Sequence, residues 1–278
     1  MIFALLNACA VALNSLAAAT AARRVSVSAV LAVAAPVSLI TALILLAAQP
    51  SPPSTRGIVL GIIAGLVGGV GILMSYKALA IGPVGMASAV TACVAVVVVS
   101  GVGFATEGGI TLSRMGAIGL CLVAMVLVTY RKNLDPVRIK AVLLAVGAGV
   151  IFGTFSLVLN ATEASDGWWP VVMVRVCVVA VATGFFLIAR KLRPGSAGLP
   201  GRSLWWFLPL FAGAIDTVGN VLLIVALQTA DLAVVAVVVS VIPAFTANLG
   251  RVVLREHLTR MQVVGIGVAV LALAAISL

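Results

Sequence analysis

Seven of the 278 residues are Asp or Glu, and only Asp216 stands deep inside a long apolar run. That run covers 204–227, and Asp216 lies about twelve residues from its start, roughly 18 Å along a helix. A charged side chain at mid-bilayer depth costs on the order of 3 kcal/mol, which makes it a candidate functional group by default. Arg175 follows Pro170 by five residues in the preceding run, and its long stem can carry the guanidinium toward the level of Asp216. Two chemistries fit. In one, an Arg175–Asp216 ion pair or an Asp216–Asn220 hydrogen bond neutralises the buried groups and fastens two helices. In the other, desolvation opposes the ionised carboxylate, so Asp216 takes up and releases a proton while Arg175 holds an anionic group of a substrate.

Other polar groups are placed to join them. Asn220 is one helical turn beyond Asp216 on the same face. Asn14 and Asn160 occupy 1–22 and 139–161, and Tyr76 lies near the end of 58–81. Pro243 should remove an intrahelical hydrogen bond near the middle of 232–253, freeing a carbonyl or permitting a bend. Serines and threonines within the runs, Ser240 and Thr246 among them, mostly satisfy themselves on their own i−4 carbonyls.

Enzyme chemistry finds few parts. An aspartyl intramembrane protease needs two acids at depth and a serine type needs a partnered His, whereas the one histidine, His257, sits between runs. Cys9, Cys93, Cys121 and Cys177 have no metal-ligand spacing and read as small core residues. No phosphate-cradling or dinucleotide fingerprint occurs in a strand-to-helix setting. No enzyme, cofactor or metal is therefore expected.

The elements that carry these residues follow from composition. The chain is 63% hydrophobic and 9% charged, with a mean hydropathy of +1.31, far below the roughly one-quarter charged residues of a soluble domain. Ten apolar runs appear, at 1–22, 28–48, 58–81, 84–105, 114–130, 139–161, 170–189, 204–227, 232–253 and 261–278. Each is near the ~20 residues a helix needs to cross a bilayer. Runs of this length without period-two alternation exclude a barrel, so the expected fold is an all-α polytopic membrane protein with ten transmembrane helices.

The net charge of +10 then concerns orientation and not nucleic acid. Fourteen of the seventeen cations, from Arg23 and Arg24 to Arg255 and Arg260, fall in or beside alternate gaps, while Glu107, Glu163, Asp166 and Asp231 fall in the others. The positive-inside bias places both termini outside a bacterial inner membrane. It also sets Trp168-Trp169 and Trp205-Trp206 at the two water boundaries.

The chain repeats itself at an offset of about 148 residues. Ala78-Leu79, Glu107 and Gly116 recur as Ala226-Leu227, Glu256 and Gly265, with nine residues from Glu to Gly both times. Five spans per copy, 1–132 and 137–278, force the second to be inverted relative to the first, which is the organisation of many secondary carriers. Glu107 and Glu256 are expected to cap the helices that follow them. Gly57, Gly61, Gly65 and Gly69 form a smooth ridge for close packing or for sliding between helices.

Several stretches together resemble the EamA family of the drug/metabolite transporter superfamily. They are Gly61 to Leu66, Tyr76-Lys77-Ala78-Leu79 before Gly82-Pro83, Ser240-Val241-Ile242-Pro243-Ala244, and Arg255-Glu256-His257-Leu258-Thr259 before Gly265. The first half has no proline matching Pro243, and it follows Glu107 with Gly108-Gly109. The resemblance implies a ten-helix carrier of small organic metabolites, often acting outward, with a cavity lined mainly by the first four helices of each unit. Small-molecule substrate, membrane lipid and protons are the expected partners, in a monomer or homodimer. A flippase for lipid-linked or amphipathic substrates is the alternative reading.

Overall fold

A computed structural model describes residues 2–107, 112–130, 136–192, 207–229, 241–256 and 258–276. Among the described residues there are ten α-helices and no strand. These are α1 (Ile2–Ala22), α2 (Val27–Ala48), α3 (Thr55–Ile81), α4 (Val84–Glu107), α5 (Leu112–Thr129), α6 (Pro136–Asn160), α7 (Trp169–Leu192), α8 (Phe207–Thr229), α9 (Ile242–Val253) and α10 (Arg260–Ile276). A 3-10 turn at Ala164–Asp166 precedes α7. Six of the helices are long and apolar enough to cross a membrane: α1, α2, α3, the segment Val84–Val102 of α4, α6 and α7. At 12 residues, α9 spans about 18 Å and is too short to do so alone. His257, Ser240, Asp231 and Trp205-Trp206 lie outside the described residues.

Local chemistry sets the helix ends. Ser26 and Ser54 cap α2 and α3 by accepting from the N–H groups of Ala29 and Gly57. Gly82 closes α3, and Pro83 cannot continue it. Pro136 opens α6 and Pro170 lies in the first turn of α7, where a missing N–H costs nothing. The same holds for Pro243. It lies in the first turn of α9, after Val241, and does not interrupt the middle of a continuous described helix, as the sequence pattern suggested.

What is buried is small and what is exposed is large. The core is dominated by alanine, from Ala4 to Ala272, whereas Ile40, Ile44, Val126, Leu143, Phe185 and Ile188 are exposed. In lipid, apolar side chains gain nothing by leaving the solvent, so helices associate through close backbone approach between small residues. Gly57, Gly61, Gly65 and Gly69 all face α7. A Cβ on Gly61 would lie 2.7 Å from the Pro170 carbonyl oxygen, and one on Gly65 would lie 2.8 Å from Val174 Cα. Gly68 and Gly71 on the adjoining face meet Phe155, Ile151 and Phe152 of α6. Elsewhere Gly213 of α8 seats on the Ala34 carbonyl of α2, and Gly265 of α10 on Val128 of α5. The principal helix pairs are α3 with α6 and α7, α1 with α8, α5 with α10, α4 with α6, and α2 with α7 and α8. Cys93, Cys121 and Cys177 are buried among these helices.

Polar contacts bind the connections in two sets. Arg23, after α1, donates to the carbonyl oxygens of Leu79 and Gly82 and to Glu256 Oε1 at 2.5 Å. Glu256 in turn accepts from the Val84 N–H at 2.9 and 3.1 Å. It therefore caps α4, in the other half of the chain, and not the helix that follows it. That helix, α10, is capped by Thr259 and Gln262, each of which accepts from the other's backbone N–H in a capping box. In the second set, Arg56 binds Glu163 and the Ala161 carbonyl. Asp166 accepts from the Ser54 hydroxyl and the Glu163 N–H. The Trp168 and Trp169 indoles donate to Gln49 Oε1 and the Ser51 carbonyl.

Candidate transport cavity

Four helices bring polar side chains to one place. Arg175 of α7 places Nη1 2.5 Å from Asp216 Oδ2 of α8. Asn14 of α1 donates Nδ2 to the other carboxylate oxygen at 3.1 Å, and the Tyr76 hydroxyl of α3 donates to Asn14 Oδ1 at 3.2 Å. The result is an ordered chain from Tyr76 through Asn14 to Asp216, with Arg175 closing the far side. The tyrosine fixes the amide so that its NH2, and not its oxygen, faces the carboxylate. The Arg175 side chain is 8% exposed and that of Asp216 29%, so the acid is the more open member.

These residues line a cavity of about 190 Å³ with Ser15, Ser38 and Ser75 and with apolar walls from Leu31, Ile72 and Phe152. Two of the hydroxyls are committed to their own helices, Ser15 to the Val11 carbonyl and Ser38 to that of Ala35. Thr217, beside Asp216 and fully buried, donates to the Ser38 carbonyl and fixes α8 on α2. Arg175 Nε is buried without a hydrogen-bond partner among the described residues. The guanidinium therefore keeps donor capacity beyond its carboxylate partner, which a ligand oxygen could use.

Asp216, Arg175, Asn14 and Tyr76 are thus assembled from four separate runs of the sequence. The other three candidates are not part of the cavity wall. Asn220 is exposed and donates its amide to the Asp216 backbone carbonyl at 2.8 Å. Asn160 is the exposed last residue of α6, and Pro243 is buried at the start of α9. Asn160 shares with Asn14 only the cost of placing an amide in an apolar run, and sequence alone does not reveal that it falls at the helix end. The contact of Thr217 with Ser38 and the reach of Glu256 to α4 carry no sequence signal, since each joins residues more than a hundred positions apart.

Residues 139–278 match the EamA-like transporter family. Nineteen solved chains match in fold. One of them, a protein crystal structure, superposes with a TM-score of 0.62 at 16% identity, over 98% of this chain and 95% of the other. At that identity the likeness concerns fold alone. No curated protein matches the sequence. With a polar cavity inside an apolar helical bundle and half of its length matched, the chain belongs to the EamA-like transporter family, a membrane-transporter family of the drug/metabolite transporter superfamily.

Proposed function

We propose that the protein is a secondary active transporter that moves small organic molecules across a bacterial inner membrane in the same direction as protons, with the Arg175–Asp216 pair as its switch. The observation that carries this reading is the pairing of a partly open carboxylate with an incompletely bonded guanidinium on the wall of one cavity. With Asp216 ionised, Arg175 is held by it. A proton on Asp216 removes that attraction, and Arg175 is free to take an anionic oxygen of the substrate. Loss of the proton reverses the exchange and releases the substrate.

The helix pairing supports two five-helix units, 1–132 and 137–278, related by exchange of α1 with α6, α2 with α7 and so on. The close pair α3–α6 then becomes α8–α1, α3–α7 becomes α8–α2, and α2–α7 and α5–α10 map onto themselves; all are principal contacts. Gly71 and Gly219, 148 residues apart, seat on α6 and α1 respectively. The family match begins close to the proposed boundary. Five spans per unit invert one unit against the other, and rocking between them would expose the cavity to each side in turn.

The polar contacts between connections support alternation of the spans. Arg23 and Glu256 tie together the first, third and ninth connections, all of odd number. Arg56, Glu163, Ser54 and Asp166 tie the second to the sixth. Lys77, Arg190, Lys191, Arg251 and Arg255 belong to the odd set, which the positive-inside bias assigns to the cytoplasm, leaving both termini outside.

A second reading, transfer of an amphipathic or lipid-linked substrate between leaflets, is favoured by an apolar groove of about 610 Å³ along Val70, Leu73, Met74, Phe185 and Ile188. It stays second because Val70, Leu73, Met74 and Lys77 lie on the face of α3 opposite Ile72, Ser75, Tyr76 and Leu79 of the polar cavity. The deciding experiment is a thermal-shift screen of purified protein against amino acids, nucleosides, sugars, organic anions and cationic drugs, since a true ligand raises stability by mass action. The proposal expects water-soluble compounds with an anionic group to act, and to lose effect in Arg175→Gln. A response confined to amphipathic lipids would favour the second reading.

A further inference from the structure

The turn between α9 and α10 holds three arginines around one pocket. Arg251, Arg255 and Arg260 line a recess of about 760 Å³ with Leu258, Val263 and Val264. Each is exposed, and none has an ion-pair partner among the described residues. Glu256 also lines the recess, but its oxygens are engaged elsewhere, bonded to Arg23 and to the Val84 N–H.

Two of the three stand where local preference opposes them. Arg255 has φ 54°, the only positive-φ position other than glycine among the described residues. It ends α9 at a site that ordinarily takes glycine, because a Cβ there crowds the backbone. Arg260 is the first residue of α10, the end of a helix where the dipole repels a cation. Arg251, in the last turn of α9, suits that dipole and needs no other reason. Residues that break local rules without compensation within the fold point to a role outside it.

The surroundings indicate which role. Val252 and Val253 are 70% and 53% exposed, and Val263 and Val264 are 50% and 54% exposed. These valines flank the arginines and lead directly into the apolar surface of α10. Guanidinium groups bind phosphate oxygens in bidentate fashion. A phosphate held there with an acyl chain attached would lay that chain over the valines, which a soluble phosphate could not use. We infer that the α9–α10 turn is a binding site for the phosphodiester headgroup of an anionic phospholipid, separate from the Arg175–Asp216 cavity. Basic pockets at the ends of transmembrane helices serve this purpose elsewhere.

Delipidated full-length protein in neutral detergent is titrated with phosphatidylglycerol, phosphatidylcholine and inorganic phosphate, with bound lipid read by native mass spectrometry and stability by thermal unfolding. Phosphatidylglycerol is expected to bind at least ten-fold more tightly than phosphatidylcholine and to raise the unfolding temperature, while inorganic phosphate neither stabilises nor displaces it. Arg255→Gly relieves the left-handed backbone, so the lipid-free variant should unfold at a higher temperature yet bind phosphatidylglycerol about five-fold more weakly. Adding Arg251→Gln and Arg260→Gln should remove the preference over phosphatidylcholine. Equal binding of the two lipids, displacement by inorganic phosphate at equal concentration, or unchanged phosphatidylglycerol affinity in Arg255→Gly would each overturn the inference.

Discussion

Arg175 and Asp216 meet across the cavity, not along a packed seam between their own helices. Their nitrogen and oxygen are 2.5 Å apart, yet α7 rests chiefly on α3 and α2, and α8 on α1 and α2. An ion pair whose sole purpose was to fasten two helices would be expected where those helices already touch. Here it bridges polar space that also contains Asn14 and Tyr76.

Because the pair is largely buried, each partner alone is worse than neither. Arg175→Gln and Asp216→Asn should each destabilise the protein by on the order of 2 kcal/mol, less than a fully enclosed pair because Asp216 is partly open. The double variant should lose clearly less than the sum. Thermal unfolding of the four proteins in one detergent measures the coupling. Strict additivity would mean that the two groups do not depend on one another.

The glycine ridge of α3 separates close packing from mere helix composition. Gly65→Ala would force a Cβ against Val174 and Cys177 of α7, with an expected loss of about 1–3 kcal/mol. Gly184→Ala in α7 meets nothing within 4 Å and should be neutral or stabilising by up to about 1 kcal/mol. Equal unfolding temperatures for the two variants would contradict the packing.

Glu256→Ala should cost about 1–2 kcal/mol, since it strips the first turn of α4 of its acceptor and leaves Arg23 only the Leu79 and Gly82 carbonyls. Thr259→Ala removes a cap from α10 only and should cost about 1 kcal/mol. Proteolysis or hydrogen exchange would localise the difference. Loosening at Val84 in the first variant but not the second is the expected pattern, and protection unchanged at Val84 in both would refute the assignment.

Asp166 links stability to pH on the opposite set of connections. The Glu163 N–H and then the Ser54 hydroxyl hold its carboxyl below the usual carboxylate range, with a smaller contribution from Arg56. Its folded-state pKa is depressed, so its contribution is complete above the ordinary carboxylate value and is lost as pH falls through the lower, folded value. The unfolding temperature should therefore drop on acidification below about pH 4. Asp166→Asn should start less stable at neutral pH and respond less over that interval; an identical acid response would show that other groups control it.

Much of the fold is legible in the sequence because lipid imposes long apolar runs, and nine of the ten predicted runs coincide with a described helix to within a few residues. The run at 232–253 does so only from Ile242. Asp216, Arg175, Asn14 and Tyr76 stand out because a polar group in an apolar run is costly wherever it is found. Cost alone does not say whether the group points inward, and Asn160 satisfied the same criterion from an exposed helix end. Pro243 likewise has one meaning inside a helix and another in its first turn, and one position decides between them. Sequence displays only neighbours and so presents Glu256 as a local cap, whereas its acceptor role belongs to a helix 172 residues earlier.

The central claim is that Asp216 carries the coupling proton, and substrate-evoked proton movement tests it most directly. Protein reconstituted into vesicles loaded with a pH-sensitive dye is given a ligand identified by thermal shift, for the native chain and for Asp216→Asn. The native protein should change lumenal pH as substrate crosses, while the variant should still exchange labelled substrate without moving protons. The same pH change in both proteins would contradict the account.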